Sequence, residues 1–472
     1  HMVPNAIAYL MLGLWPLVAI GLFRWLPPGR ALLANLFLSY LFLPPPPTQF
    51  DLPLLPPLDK ENLPALSLLL ACLIHCRDQL SLPRNGWVTA TLAVFIFSPV
   101  LTVFANTDGI SFGAFGLPGL GVKDALSLVI NRFSLVLPML LSYALLRSAS
   151  DLRDVLLAFA LFGLIYSLPM LIEVRLSPQL NLWIYGYFQH NFDQMMRFGG
   201  FRPIVFLYHG LWVAFFAMSA VIAAATLTRT EDGPERAKAF MVMMYLMVIL
   251  VLCKSVGPLL YAMLLLPLTL LLPLGTQLRV ALAFASVAIA YPIIKGAGWL
   301  PEEALLQLAS RISEERASSL QFRLNNESSL LERAMERPIL GWGSWGRNQI
   351  LDPFTGQELL VSDGRWVITL GFFGWVGFAA EMLLLAAPIV MLWALQRGQN
   401  AVQMSAAVGG MTLLLAINLI DLLPNATLTP LTWLLTGALL RHAEELRQNT
   451  AQAFNTPSAA PKRHKSGLTS VM

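Results

Sequence analysis

Charge is what this sequence has least of. Of its 472 residues only 12% are Asp, Glu, Lys or Arg, whereas 56% are hydrophobic. A soluble domain carries roughly 25% charged residues, so an ordinary water-facing surface is excluded. Cysteine is scarce too. Cys72, Cys76 and Cys253 form an odd set in or beside apolar segments, which excludes a disulfide framework. Cys72, His75 and Cys76 share one helical turn, but no second ligand cluster joins them, so they read as packing residues and no metal site is expected. A net charge of +4 is too small on so apolar a chain to argue for nucleic acid. No internal repeat is evident, which weakens the case for a repeat-built transporter.

What the chain has is apolar runs. They cover residues 6–23, 31–44, 63–76, 88–105, 125–146, 154–174, 204–228, 239–253, 257–274, 279–295, 366–395, 401–420 and 425–440. About 20 such residues span a hydrocarbon core of ~30 Å, and in lipid the backbone satisfies itself as helix. The expected fold class is all-α, a polytopic transmembrane bundle of 12–13 spans over residues 1–440, the lower number if a short segment near 31–76 is re-entrant. The opening His1–Met2 is set aside as a cloning remnant. The first run, with no charged flank or cleavage site, reads as a retained span.

The basic residues fall in alternate loops: Arg24 and Arg30, Arg77 and Arg84, Arg147 and Arg153, then Arg229, Arg236 and Lys238. Together with the tail 441–472 they belong on one side, the cytoplasmic one. From about 449 that tail, with Lys462–Lys465, is expected to be disordered. The other side receives the Pro-rich stretch Pro44–Glu61, the loop 176–203 and the long segment 296–364. In 296–364, Leu305, Leu308 and Ile312 predict one amphipathic helix. Residues 328–337 predict a second, capped by Ser328 or Ser329, with Glu332 in its first turn and Pro338 as its stop.

After that stop comes "GWGSWGRN", Gly341–Asn348. Its glycine spacing matches a dinucleotide turn, but it follows a helix stop rather than a buried strand and leads into a polar loop. It reads as a tight turn at the membrane surface. Trp342 and Trp345 are interface anchors or stacking surfaces for a sugar ring. Arginines gather on the same side: Arg197, Arg202, Arg323, Arg347 and Arg365. A guanidinium binds two phosphate oxygens at once, so the set points to a lipid-linked phosphate or pyrophosphate. The bland alternative is snorkelling to headgroups or pairing with Glu327, Glu332 and Glu336. Asp363, at the edge of the span from Trp366, is the candidate general base or a turn residue before Gly364. His209, His190 and Glu173 are secondary candidates.

These motifs resemble the superfamily of O-antigen ligases and Wzy-type polysaccharide polymerases. "RFGGFRP" (Arg197–Pro203) resembles its first outer signature. "RLNNESSLLERAMERPILGWG" (Arg323–Gly343) resembles its second, and "SVGPLLYAMLLLPLTLLL" (Ser255–Leu272) its Ser-x-Gly start of a long span. Before Gly371 and Gly374 the family carries a histidine; here Asp363 lies nearest that place. The resemblance implies a metal-independent, cofactor-free inverting glycosyltransferase of the bacterial inner membrane. It would move a glycan from undecaprenyl pyrophosphate to an acceptor sugar hydroxyl on the periplasmic side. Arg197, Arg323 and Asp363 would be catalytic, and Arg202, His209, Arg347, Arg365, Trp342 and Trp345 would contact substrate. Membrane lipids, the glycan donor, the glycan acceptor and chain-length or export proteins would be its partners. The missing histidine favours a repeat-unit polymerase. A ligase acting on lipid A core, a lipid-linked oligosaccharide flippase and an export scaffold are the other readings.

Overall fold

Each of the thirteen apolar runs becomes helix in the computed structural model, which describes residues 3–397 and 401–455. The first third of the chain holds α1 (Ala6–Gly13), α2 (Trp15–Trp25), α3 (Pro28–Phe42), α4 (Leu63–His75), α5 (Gly86–Phe104) and α6 (Val122–Leu145). Then follow α7 (Ala149–Leu176), a short α8 (Leu180–Tyr185), α9 (Gly210–Thr230), α10 (Gly233–Leu252), α11 (Val256–Leu271) and α12 (Leu274–Gly296). Outside the bundle lie α13 (Glu302–Ser310) and α14 (Glu314–Met335); α15 (Arg365–Gln396), α16 (Ala406–Asp421) and α17 (Pro430–Asn455) complete it. The fold is all-α and the protein is a multi-pass membrane protein.

Six of these helices are long and apolar enough to cross a membrane, or seven if α1 and α2, bent by 44°, count as one span. The expectation of 12–13 spans is thus met as helices but not as full-length spans. At 1.5 Å per residue, α4, α11 and α16, with 13, 16 and 16 residues, fall short of a ~30 Å core.

The core centres on α9, packed by α7, α10, α11 and α16. Its Ala-rich sequence lets backbones close in, the usual way to gain dispersion contact where lipid offers no hydrophobic drive. Gly163 of α7 sits where a Cβ would lie 2.6 Å from Ala220 of α9.

The loops sort as the charge pattern predicts. At one end Arg84 meets Glu444, and Arg30 pairs with Asp154 at 3.4 Å. At the other end Lys60 donates to the Phe206 carbonyl at 2.7 Å, Thr48 to Tyr187 at 3.0 Å, and Arg337 pairs with Asp108 at 2.8 Å. The Pro-rich loop is irregular apart from a bridge between Phe50 and Leu58.

Two local expectations need correcting. The helix break in the outer module falls at Ser313, whose side chain accepts from the Arg316 amide, with Glu314 and Glu315 in the first turn. A serine followed by two acids is the stronger N-cap, so α14 runs straight through Ser328, which instead bonds back to Leu324 O at 3.0 Å. At the tail, α17 continues to Asn455; Lys462–Lys465 lie outside the described residues, as does the His1–Met2 pair.

The decisive feature is a break inside α15. Gly374 has φ 66° and ψ −164°, a conformation essentially restricted to glycine. The freed backbone groups are taken up by the strap Pro338–Gly343. Trp342 and Gly343 donate to the Gly371 and Phe372 carbonyls at 2.8 and 2.9 Å, while Trp375 and Val376 donate to Pro338 and Ile339 at 2.7 and 3.1 Å. The strap is held from behind by α5, through Thr102 to Leu340 O at 2.7 Å and Asn106 to Gly341 O at 2.9 Å. A Cβ on Gly374 would lie 2.4 Å from the Ile339 carbonyl, and one on Gly341 2.5 Å from that of Phe372. Gly374→Ala is therefore expected to lower stability by at least about 1–2 kcal/mol, read as thermal loss of the monodisperse peak in detergent. Gly257→Ala, with open space at its Cβ, serves as control; equal melting of the two would contradict this account.

Candidate functional site

The site is built from three segments: the hairpin after α8, the N-terminal approach to α15, and the face of α14. Strands β1 (Ile110–Phe112) and β2 (Phe115–Leu117) form one small hairpin, and β3 (Met196–Arg197) with β4 (Gly200–Phe201) forms the other. In the second, Phe198 and Gly199 have φ 50° and 72°, the positive values a two-residue hairpin turn requires. This turn sets Arg197 at an exposed strand end. Its cation is disfavoured by burial and then by Arg323 and Arg316 nearby.

Five residues on, Arg202 is fully buried. One nitrogen donates to Ser255 Oγ at 2.8 Å, while Nε and Nη1 have no protein partner. Burial, then Arg197, pulls its pKa to about 10, which leaves it charged at neutral pH. Gly210 makes the room, since a Cβ there would lie 2.9 Å from Arg202 Nε. Glu173 fixes the following backbone by accepting from the Ile204 and Val205 amides at 3.1 and 2.6 Å; its work is positioning. His209 caps α9, its Nδ1 accepting from the Leu211 amide at 3.0 Å, and its ring meets that of His190 at 4.5 Å. Burial first, then Arg202, His190, Arg197 and Arg323, depress His209 to about 3. It is neutral at physiological pH, and its Nδ1 is occupied.

Across from this hairpin Arg323 reaches Asp363 at 3.9 Å, both half-exposed. They border a cavity of about 210 Å³ that Glu327 and Tyr291 also line and that is walled mainly by apolar residues such as Leu300, Leu305, Leu320 and Val367. Among the described residues neither Arg197 nor Arg202 has a carboxylate within ion-pair distance. Lys254, whose ammonium a Cβ on Gly200 would approach within 2.8 Å, has none either. The face holds more cations than its acids neutralise.

Arg365 has a different fate. It grips Glu381 with two nitrogens, at 2.7 and 3.4 Å. Glu381 also takes Arg132 at 3.3 Å and the Thr369 hydroxyl at 3.1 Å. The Arg132 guanidinium lies over Phe95 and Phe373, 4.8 and 3.7 Å from their centroids. Thr369 and Glu381 are twelve residues apart, about 18 Å along a straight helix; they touch because α15 breaks at Gly374. Arg132 and Glu381 escaped the sequence reading, although each is the lone charge in its apolar run and a charge at that depth is a functional signal.

The glycine–tryptophan turn lies apart from the unpaired arginines. Arg347 is wholly buried and spends its donors on the carbonyls of Trp342, Asp108 and Pro118, at 3.1, 3.0 and 2.9 Å, and on Asn106 Oδ1 at 3.3 Å. It is a strut, with no donor free for a phosphate. Trp342 is also internal, stacked between Arg333 and Arg337 at 3.6 and 4.4 Å, so it neither anchors at an interface nor meets a sugar. Trp345 alone stays 69% exposed, its indole bonded to Asp124 at 2.7 Å. The cysteines Cys72 and Cys76 face inward together and His75 outward, so the three do not converge on one point.

Glu381→Gln leaves the buried Arg132 and the partly buried Arg365 without their counter-charge, at a cost expected near 3–5 kcal/mol. The check is the folded fraction after detergent extraction, with Arg132→Met added to Glu381→Gln returning part of it. Compared with known proteins, the chain matches no family model and no curated protein sequence.

Proposed function

We propose that this protein polymerises lipid-linked oligosaccharide repeat units, transferring a glycan from undecaprenyl pyrophosphate to an acceptor sugar hydroxyl on the periplasmic face of the bacterial inner membrane. The observation that carries the reading is the gathering of cations at one end of a membrane bundle: among the described residues Arg197 and Arg202 have no carboxylate within ion-pair distance, and Arg323 has Asp363 at 3.9 Å with Glu327 one turn along α14. Guanidinium groups gathered beside the bundle with few acids among them offer planar forks to an anionic ligand such as a phosphate. Fixed cations act where charge develops, which in this transfer is the departing pyrophosphate. Arg202, held rigidly by Ser255 and with two nitrogens unused, is pre-organised for that role. The leucine-walled cavity beside Arg323 and Asp363 suits the first isoprene units. Asp363 is engaged by Arg323, so we assign it the orientation of that guanidinium. The C-terminal helix then ends in the cytoplasm, with the other basic loops.

The test is a mixture of purified protein and undecaprenyl-pyrophosphate-linked repeat units, read as a ladder of chain lengths. Arg197→Ala and Arg323→Ala are each expected to slow ladder growth by roughly 10²- to 10³-fold. Transfer only to a lipid A core acceptor would assign ligase activity, and movement of the lipid across the bilayer without new glycosidic bonds would sink both.

A further inference from the structure

A second, polar cavity of about 230 Å³ lies between the Pro-rich loop, α6 and the first turns of α15. Its polar lining includes Glu61, Asn131, Arg132 and Arg365, and Phe372 supplies an apolar wall. Two of these groups are exposed although protein surrounds them. Glu61, just ahead of α4, is open to the cavity. Asn131, well inside the membrane-spanning α6, is exposed and makes no protein hydrogen bond among the described residues. A polar amide kept free at that depth implies that water or a polar ligand fills the space.

The acids around the site differ in their commitments. Glu381 carries two arginines and a hydroxyl, and Asp363 carries Arg323. Glu61 forms no ion pair among the described residues. Asp59 and Lys60 flank it on its own loop, Tyr208 faces it from the segment before α9, and Arg365 faces it from α15. Lys60 is directed away, donating to Phe206 O at 2.7 Å. Burial first, then Asp59, raises Glu61 to about 6, against the opposing pull of Arg365, Tyr208 and Lys60. A carboxylate near that value is ionised at neutral pH yet basic enough to take a proton.

We propose that this cavity is the subsite for the acceptor's attacking sugar ring, with Glu61 as the group that receives the proton of the attacking hydroxyl. The proposal rests on the transfer reading above. The volume, below the roughly 300–1,000 Å³ of drug-sized pockets, fits one ring rather than a chain. Phe372 offers it an apolar face and Asn131 and Arg365 meet its hydroxyls. In the step, the hydroxyl oxygen bonds to the donor's anomeric carbon and its proton passes to Glu61. The bond from that carbon to the pyrophosphate oxygen breaks, its electron pair leaving on undecaprenyl pyrophosphate. Arg365, fixed by Glu381, is a positioning residue that also keeps the Glu61 carboxylate facing inward.

Two readouts test this. Glu61→Gln is expected to slow ladder growth about 10²- to 10⁴-fold, with Glu61→Asp recovering part. Below pH 6 the wild-type rate should fall as Glu61 gains its proton, and that acid limb should vanish in Glu61→Gln. Binding of undecaprenyl pyrophosphate alone should survive Glu61→Gln and be lost in Arg197→Ala. An unchanged rate and acid limb in Glu61→Gln would overturn the proton role. Separately, Asn131→Cys is placed in the full-length protein, where the native cysteines are buried. A membrane-impermeant thiol reagent should label it, and oligosaccharide released from the lipid-linked units by mild acid should slow that labelling. A cysteine beyond the reagent's reach, or labelled equally with and without the oligosaccharide, overturns the subsite. If wild type fails to bind undecaprenyl pyrophosphate, the transfer reading falls while saccharide protection still decides the subsite.

Discussion

The fold depends on a repair. A transmembrane helix broken in mid-course exposes carbonyls and amides that hydrocarbon cannot satisfy, and in α15 the strap Pro338–Gly343 supplies the missing partners. Glycines on both sides make the approach possible, Gly341 on the strap and Gly374 in the helix, because any Cβ would occupy the other backbone. The consequences run outward from there. The break folds the start of α15 back toward its middle, so that Thr369 and Arg365 reach Glu381. The same strap is the continuation of α14, so sealing α15 also fixes the helix that carries Arg323. One backbone junction thus aligns the outer module with the bundle.

Around that junction the arginines divide by what they touch. Arg132, Arg337 and Arg347 have carboxylates or carbonyls within reach and are structural, while Arg365 is held by Glu381 and also lines the polar cavity. Arg197 and Arg202 lack acids, and Arg323 shares one at 3.9 Å. Buried guanidinium groups cost several kcal/mol unless paired. The first group therefore stabilises the fold only as part of its networks; in the second, Arg202 is buried without a counter-charge while Arg197 and Arg323 are exposed. That contrast, more than the number of arginines, separates framework from site.

Much of this was legible in the chain. The apolar runs located the bundle helices, since in lipid an uncharged run has no alternative to helix, although the first run breaks into α1 and α2 and α17 runs on to Asn455. The alternation of basic loops sorted the two ends, whereas the hairpin in "RFGGFRP" left no clear trace in the chain, because one of its two positive-φ residues is Phe198 rather than a glycine. The signals that misled were those with equivalent local rivals. Ser313 and Ser328 are both plausible caps, and only the acids after Ser313 decide between them. Arg347 and Arg365 look as free as Arg197 in the sequence, because a pairing partner 16 or more than 200 residues away leaves no local trace.

By itself, then, the sequence determined the all-α membrane class and the approximate position of the bundle helices. These follow from composition, periodicity and backbone preference, which are local properties. Which arginines remain unpaired, where α15 breaks and how it is sealed, and that Glu61 of the Pro-rich loop looks into the same interior as Arg365 were decided only by tertiary structure. Each depends on a contact between distant segments, and the free energy of a buried charge is set by the neighbours that packing brings to it.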